Sequence, residues 1–476
     1  MNRDETVALF LQGREAWNAW AEKMLAEREA MEAADRWAVE NHFGILLSRN
    51  DQTRAWTDAA AANFSHCLLE IKKEAAGEGK EDDVGAKPVK SIVVDAPDVD
   101  FNGFVFPGDA NFGGATFTGT GSFGSATFTG DAYFDRVAFI RGAYFESATF
   151  IGAANFQSAN FTDTAYFGRA TFTRGAYFHS ATFSGDSDFG SATFTDDTNF
   201  RSVTFVGDAK FRSAVFTGET YFSGASFSSD AYFRSATFRN SVSVKEAKFR
   251  AEAQFPGVKA DRAFRMTGAD FALVPAFNQA DFRQAPDLDD VEFPLPGFWF
   301  GGKAGEVAQY RALRRMAIQG ADYEREHMAF KGELRSRRWT VDKWWHPSLW
   351  LGMLYDGVAD CGRSYLRPAG VWAASIAVFA AFYWWRAAAG MEARCAEAGG
   401  SLLQALYLSV KDALVIFGGT RDARVNQAYL CLYDGSTEQP HIPPTVTFVE
   451  TLAQIPVSAA LMFVFLLAVK NRFKIK

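Results

Sequence analysis

The chain has 476 residues, with 49 basic against 56 acidic side chains, a net charge of −7 and 47 phenylalanines. That length favours several domains over one, and so mild a charge implies neither a polyanion partner nor an acidic nucleic-acid mimic. The four cysteines form no CxxC, no HExxH or GxSxG occurs, no glycine-rich phosphate loop links a strand to a helix, and the six histidines are scattered; the sequence therefore offers no catalytic, cofactor-binding or metal-binding constellation, and no enzyme is expected.

Residues 1–75 read as a helical N-terminal cap, because Phe10, Trp17, Trp20, Met24 and Met31 recur near helical spacing with charges between them. The opening MNRDETVALFLQGREAW is too charged for the apolar centre of a secretory signal. A charged, glycine-containing linker follows over 76–90, and SIVVDA then reads as a lead-in strand.

From Phe101 to Trp299 a bulky apolar residue recurs at alternating intervals of five and six. One series runs Phe112, Phe123, Phe134, Phe145, Phe156, Phe167; the other runs Phe117, Phe128, Phe139, Phe150, Phe161, Phe172. On the whole grid only Val244, Ala260, Met266, Leu288 and Trp299 are not Phe. A small residue, usually Ala, stands two places before most of them, so Ala and Phe share the inward side of a short strand and the polar pair after Phe makes a corner. Such a one-dimensional ruler predicts a solenoid over 91–300.

Runs such as ATFTGDAYFDRVAF (Ala126–Phe139) and ANFTDTAYFGRATF (Ala159–Phe172) resemble the pentapeptide-repeat proteins, in the variant centred on Phe rather than Leu. The resemblance implies a mostly β chain built around a right-handed quadrilateral β-helix with one repeat per face. Faces of 5, 6, 5 and 6 residues make a coil of 22, and the grid amounts to about nine coils. LQGREAWNAW (Leu11–Trp20) resembles the short helix that precedes the coils in that family, where it closes an open end of the solenoid. Pro275, Pro286, Pro294 and Pro296 fit a fraying last edge.

Helical periodicity takes over in 304–360, with a break at Gly320. The halves EVAQYRALRRMAIQG and ADYEREHMAFKGELRSRRW resemble the helical hairpin of membrane-anchored pentapeptide-repeat proteins. Trp339, Trp344, Trp345 and Trp350, interleaved with Arg337, Arg338 and Lys343, suit a bilayer headgroup region. In 361–476 two apolar runs, about 369–385 and 446–469, predict a C-terminal two-helix transmembrane region. Arg363 and Arg367 before the first, with Lys470, Arg472, Lys474 and Lys476 after the second, place both termini in the cytoplasm. LYDGVADCGRSYLRP (Leu354–Pro368) and KNRFKIK (Lys470–Lys476) resemble the corresponding ends of membrane-bound members, which implies a bacterial inner membrane.

Between the spans, 401–419 is apolar but carries Lys411 and Asp412, and reads as a re-entrant helix, an interfacial helix or a third span. ALYLSV loosely resembles the pore helix of two-helix cation channels, yet Phe417, Gly418 and Gly419 stand where a filter strand is expected. Glu450 and Gln454 share a face of the last span and point to helix packing or permeation. The topology puts Cys395 and Cys431 together on the far side, where a disulfide is permitted, and Cys67 and Cys361 in the cytoplasm. The leading expectation is a non-enzymatic scaffold with a lipid bilayer and an unidentified protein as partners, and no nucleic acid. The alternatives are a homo-oligomeric pore with 401–419 as its pore-helix-like element, and a membrane-tethered DNA mimic that binds topoisomerase.

Overall fold

The structure, a computed structural model, describes residues 1–37, 39–42, 45–48, 51–65, 67–70, 93–95, 99–299, 301–303, 305–387, 394–396, 400–414, 423–433 and 442–473. The linker 76–90 predicted from composition lies outside the described residues. The chain divides into two compact units, one of residues 1–295 with 305–329 and the other of 296–304 with 330–476.

The first unit is a parallel β-solenoid of four faces. Face I stacks strands such as Ala110–Asn111, Ala132–Tyr133 and Ala154–Asn155, and face II stacks Thr116–Phe117, Ala138–Phe139 and Asn160–Phe161. Face III stacks Gly121–Ser122, Ala143–Tyr144 and Ala165–Tyr166, and face IV stacks Thr127–Phe128, Thr149–Phe150 and Thr171–Phe172. Partners lie 22 residues apart, as in Ala132 with Ala154, so the spacing of the Phe grid is the pitch of the coil. Among the described residues the four sheets hold 9, 10, 8 and 9 strands in the order of the faces. That makes about eight turns, roughly 38 Å of rod at ~4.8 Å per turn. The grid predicted about nine. The shortfall is at the end: Phe277, Phe282, Leu288 and Phe293 stay buried, but the ladder thins to isolated bridges and Trp299 is 64% exposed. Proline at 275, 286 and 294 supplies no N–H to a ladder there.

Each Phe lies flat on the Phe one coil away. Phe134, Phe156 and Phe178 stack with centroids 4.8 and 4.9 Å apart and planes within 4°. Rings of opposite faces meet edge-on, as Phe145 after face III and Phe156 after face I do at 5.4 Å and 88°. The inward alanines, such as Ala132, Ala143 and Ala154, leave room for this double arrangement. The corners after faces I and III pass through the left-handed region at Ser125, Ser147, Ser158, Ser180 and their equivalents, with φ of 54–58° at these four. This conformation explains why Ser and Gly recur there.

Three helices lie at the start of this unit: α1 (Arg3–Phe10), α2 (Arg14–Ala33) and α3 (Asp51–Ala60). Asn2 and Glu5 form a reciprocal cap on α1, each side chain accepting the other's backbone N–H at 2.9 and 3.0 Å. Trp17 of α2 is fully buried among Phe64, Phe104 and Phe106, and its indole N–H donates to the Val105 carbonyl at 2.8 Å. Asn18 accepts the Val105 N–H at 3.0 Å and donates to the Gly103 carbonyl at 3.0 Å. The helix thus covers exposed rings and satisfies edge groups of the first coil together.

The helical cap expected over 1–75 requires correction, because 62–63 and 68–70 are strands of the solenoid. Ala62–Asn63 pairs with Ala110–Asn111, and Leu68–Leu69 pairs with Thr116–Phe117. Ala62, Phe64, Cys67 and Leu69 repeat the spacing of Ala110, Phe112, Ala115 and Phe117. The offset of 48 rather than 22 residues hides this half-coil from a search by period. The lead-in strand Val93–Asp95 pairs beside it, on Leu68–Glu70.

At the other end, helix α4 (Glu306–Gln319) closes the rod. Its buried Tyr310 donates to the Pro294 carbonyl at 2.5 Å, and Gln319 donates to the Phe282 carbonyl at 3.3 Å. Helix α5 (Tyr323–Arg337) follows, and the boundary between the two units falls within it.

The second unit contains α6 (Pro347–Ala359), α7 (Leu366–Trp385), α8 (Ser401–Ala413), α9 (Ala423–Leu432), α10 (Pro444–Val449) and α11 (Ile455–Phe473). A π-turn, Glu450–Gln454, joins α10 to α11, so that 444–471 forms one 28-residue helix. That helix and the 20-residue α7 are long and apolar enough to cross a membrane. Their apolar residues, such as Val378, Phe448, Leu452 and Phe463, are largely uncovered.

Candidate functional site

On the solenoid the outward strand positions differ by face. Face IV presents Thr127, Thr149, Thr171 and Thr193, whereas face III presents Tyr144, Tyr166, Asp188, Lys210 and Tyr232. Tyr144 and Tyr166 stack at 5.0 Å. On face I, Tyr133 and Tyr177 are separated by Asn155, so they do not form a continuous ladder. Carboxylates rise along the corner before face III: Asp186, Asp208 and Asp230 each accept the N–H of the residue one coil on, at 3.0, 3.3 and 2.9 Å. The second oxygens of Asp186 and Asp230 are used laterally. Asp186 pairs with Lys210 at 2.8 Å, a hydrogen bond that lowers the carboxyl and raises the amine, and Asp230 accepts from Tyr232 at 2.9 Å. The hydrogen bond to Asp230 first, with desolvation, pushes the Tyr232 phenol up to about 12 and keeps it a neutral donor. Arg212 lies 4.6 Å over the Tyr232 ring on face III, and on the opposite face I Arg201 lies 4.0 Å over Tyr221. Face III thus presents a wall of tyrosine, arginine and carboxylate side chains.

Among the described residues the second unit holds two polar clusters. In the first, Asp356 of α6 is buried and accepts from Arg335 Nε and Arg338 Nη2, both at 2.7 Å. Burial alone would raise this carboxyl, but the two guanidinium hydrogen bonds outweigh it and hold it below the usual range. Arg338 also donates to the Phe298 carbonyl, and Arg335 to the Pro296 carbonyl at 3.1 Å. The Cys361 thiol lies 3.5 Å from Asp356 and is pushed up by burial and then by that charge, so it is not a reactive thiolate.

The second cluster lies among α7, α8 and the π-turn. Trp384 donates to Ser401 Oγ at 3.2 Å, and Ser409 Oγ donates to the Ile376 carbonyl at 2.7 Å. Helix α8 therefore starts beside the end of α7 and runs back along it. Its 13 residues span about 20 Å, short of a ~30 Å hydrocarbon layer. Gln454 is fully buried, and Asp412 is 9% exposed. The hydroxyl of Tyr383 reaches both, while Tyr429 donates to Glu450 at 2.9 Å. Thus Asp412, Gln454 and Glu450 meet polar partners inside one helical group, with Lys411 adjacent on α8. Phe417, Gly418 and Gly419 lie outside the described residues. Cys395 and Cys431 are joined as a disulfide, with Cα atoms 5.1 Å apart.

Tyr383, Tyr429 and Ser409 were not legible as site residues. Tyr383 stands near the end of a charge-free run, where an aromatic side chain reads as an interfacial residue, and nothing in its spacing names Asp412 as a partner.

Residues 101–149, 139–182 and 178–226 match the family model for pentapeptide repeats in nine copies. The middle of the chain is thus similar to pentapeptide repeats. The match covers about six of the turns and none of the second unit. No curated protein and no solved structure matches the chain.

Proposed function

We propose that this chain is a membrane-anchored, non-enzymatic scaffold whose solenoid binds a protein partner from the cytoplasmic side of a bacterial inner membrane, with both termini in the cytoplasm. The observation that carries the reading is the wall on face III. Its Tyr144, Tyr166 and Tyr232 project from a backbone that cannot rearrange, so contact area is gained at little conformational cost. The two long, apolar, largely uncovered helices of the second unit support the anchor. Photo-crosslinking from Tyr144 and Tyr166 in native membranes tests the scaffold. A discrete adduct absent from probes at Thr149 and Thr171 of face IV is expected; identical labelling of both faces overturns it.

A second reading, an oligomeric pore, is favoured by one observation: α8 turns back along α7, too short to cross, and carries Lys411 and Asp412 at its inner end. Planar-bilayer recording with the purified chain tests it. Single-channel conductance is expected, and a reconstituted oligomer that conducts nothing overturns this reading without touching the first.

A further inference from the structure

Helix α6 carries one charge, Asp356, and turns it inward. Leu349, Met353, Asp356 and Ala359 recur at helical spacing and are buried, with the carboxylate held by Arg335 and Arg338. The other side of the helix carries exposed Trp350, Leu351 and Gly357 beside half-buried Leu354 and Val358, and no charged residue. A helix that faces water places charges on its open side, so this one is suited to a second apolar neighbour. The residues that lead into it widen the surface. Trp344, Trp345 and Trp350 are 66, 60 and 57% exposed. The Trp344 and Trp345 rings meet edge-on at 5.7 Å, and the Trp350 indole N–H donates to the Trp344 carbonyl at 2.9 Å, which holds the three in one patch. Lys343 lies 5.1 Å over the Trp345 ring and adds a cation beside the indoles.

What the patch faces follows from where α6 is fixed. Tyr355, Ala359 and Cys361 pack with Val464 and Ala468 near the end of the second long helix, and Asn471 donates to the Tyr355 hydroxyl. At 28 residues that helix is about 42 Å long and outruns a ~30 Å hydrocarbon layer by about 12 Å, so its end at Lys470 and Asn471 belongs among headgroups. One short turn, Asp360–Gly362, then leads from α6 to Arg363, Arg367 and the start of α7. Both long helices therefore meet α6 at the same boundary. Indole suits that layer, because its ring is apolar and its N–H finds headgroup oxygens. We propose that α6, with Trp344 and Trp345 before it, lies in the plane of the cytoplasmic leaflet and seats Trp344, Trp345, Trp350 and Leu351 among lipid headgroups and upper acyl chains. The inference rests on the anchor proposed above and adds an in-plane contact to its two spans. It assigns the patch to lipid rather than to a protein partner, since an uncharged strip joined to the ends of two spans is continuous with the surface they enter.

Fluorescence of the full chain in phosphatidylcholine vesicles tests the seating, because bromine on the acyl chains quenches indoles that touch them. The signal of the three rings is the difference between the wild type and a variant with Trp344→Phe, Trp345→Phe and Trp350→Phe, which keeps the patch apolar. Bromination should remove most of that difference and aqueous iodide little of it; the reverse pattern overturns the proposal. A photo-crosslinking residue in place of Leu351 gives a second reading that needs no Trp variant. In native membranes an adduct with the added mass of a phospholipid is expected, and a protein adduct without any lipid adduct overturns the proposal. Alkaline carbonate applied to the same vesicles separates this inference from the one beneath it. Release of the wild type would overturn the anchor and the seating together, whereas retention with iodide-quenched indoles overturns the seating alone.

Discussion

A single ring in the solenoid is held by two kinds of neighbour, parallel above and below and perpendicular to the side, and this redundancy makes its loss severe. Phe156 is fully buried between Phe134 and Phe178. Phe156→Ala should cost about 3–5 kcal/mol, because stacked backbones on both sides hold the cavity open; denaturant unfolding of the detergent-solubilised chain checks it. Asp356 tests a different force. Breaking its paired contacts leaves the buried Arg338 and the half-buried Arg335 without their carboxylate, so Asp356→Ala should cost about 3–5 kcal/mol. Its pH dependence has a definite sign. Since the folded carboxyl is held below its unfolded range, its contribution is complete above about pH 4 and is lost as pH falls through the lowered value. The wild-type melting temperature should therefore drop below about pH 4, and Asp356→Asn should flatten that drop.

Elements at the two ends of the rod bear a duty that those in the middle do not. Interior coils are covered by coils, whereas the first would expose Phe rings and unpaired backbone without α2. Trp17→Ala should cost about 3–5 kcal/mol and add concentration-dependent self-association through the opened end, measured by light scattering. The helix was legible from its aromatic spacing, and the coil from its strict period, since one residue type at one interval admits a single register. The half-coil 62–70 was not, because an insertion breaks the period without breaking the geometry. The antiparallel course of α8 was also out of reach: apolar composition states that a helix is buried, and the contacts of Trp384 and Ser409 state where it runs. Nor was the end of the rod fully visible. Apolar residues keep the beat to Trp299, but prolines remove the hydrogen bonds that make a beat into a strand.

At the scale of the whole molecule, the proposed anchor makes a simple demand. The chain should remain with membranes through alkaline carbonate, and deletion of both long helices, 366–385 and 444–471, should release it; wild type recovered in the soluble fraction would contradict the anchor. The coil geometry carries a less obvious consequence. Because faces I and III, and II and IV, differ mainly in their outward residues, the core repeats every 11 residues although the coil closes only after 22. Removing 22 residues, 154–175, shortens the rod by one layer and keeps the angular setting of α4 relative to α2. Removing 11, 154–164, joins Ala153 to Ala165 and leaves every Phe inward, yet brings α4 round by about half a turn and exchanges the tyrosine wall with its opposite side. Insertions and deletions in this chain therefore act like the teeth of an indexing wheel, and selection on the angle between its ends can proceed without disturbing its core.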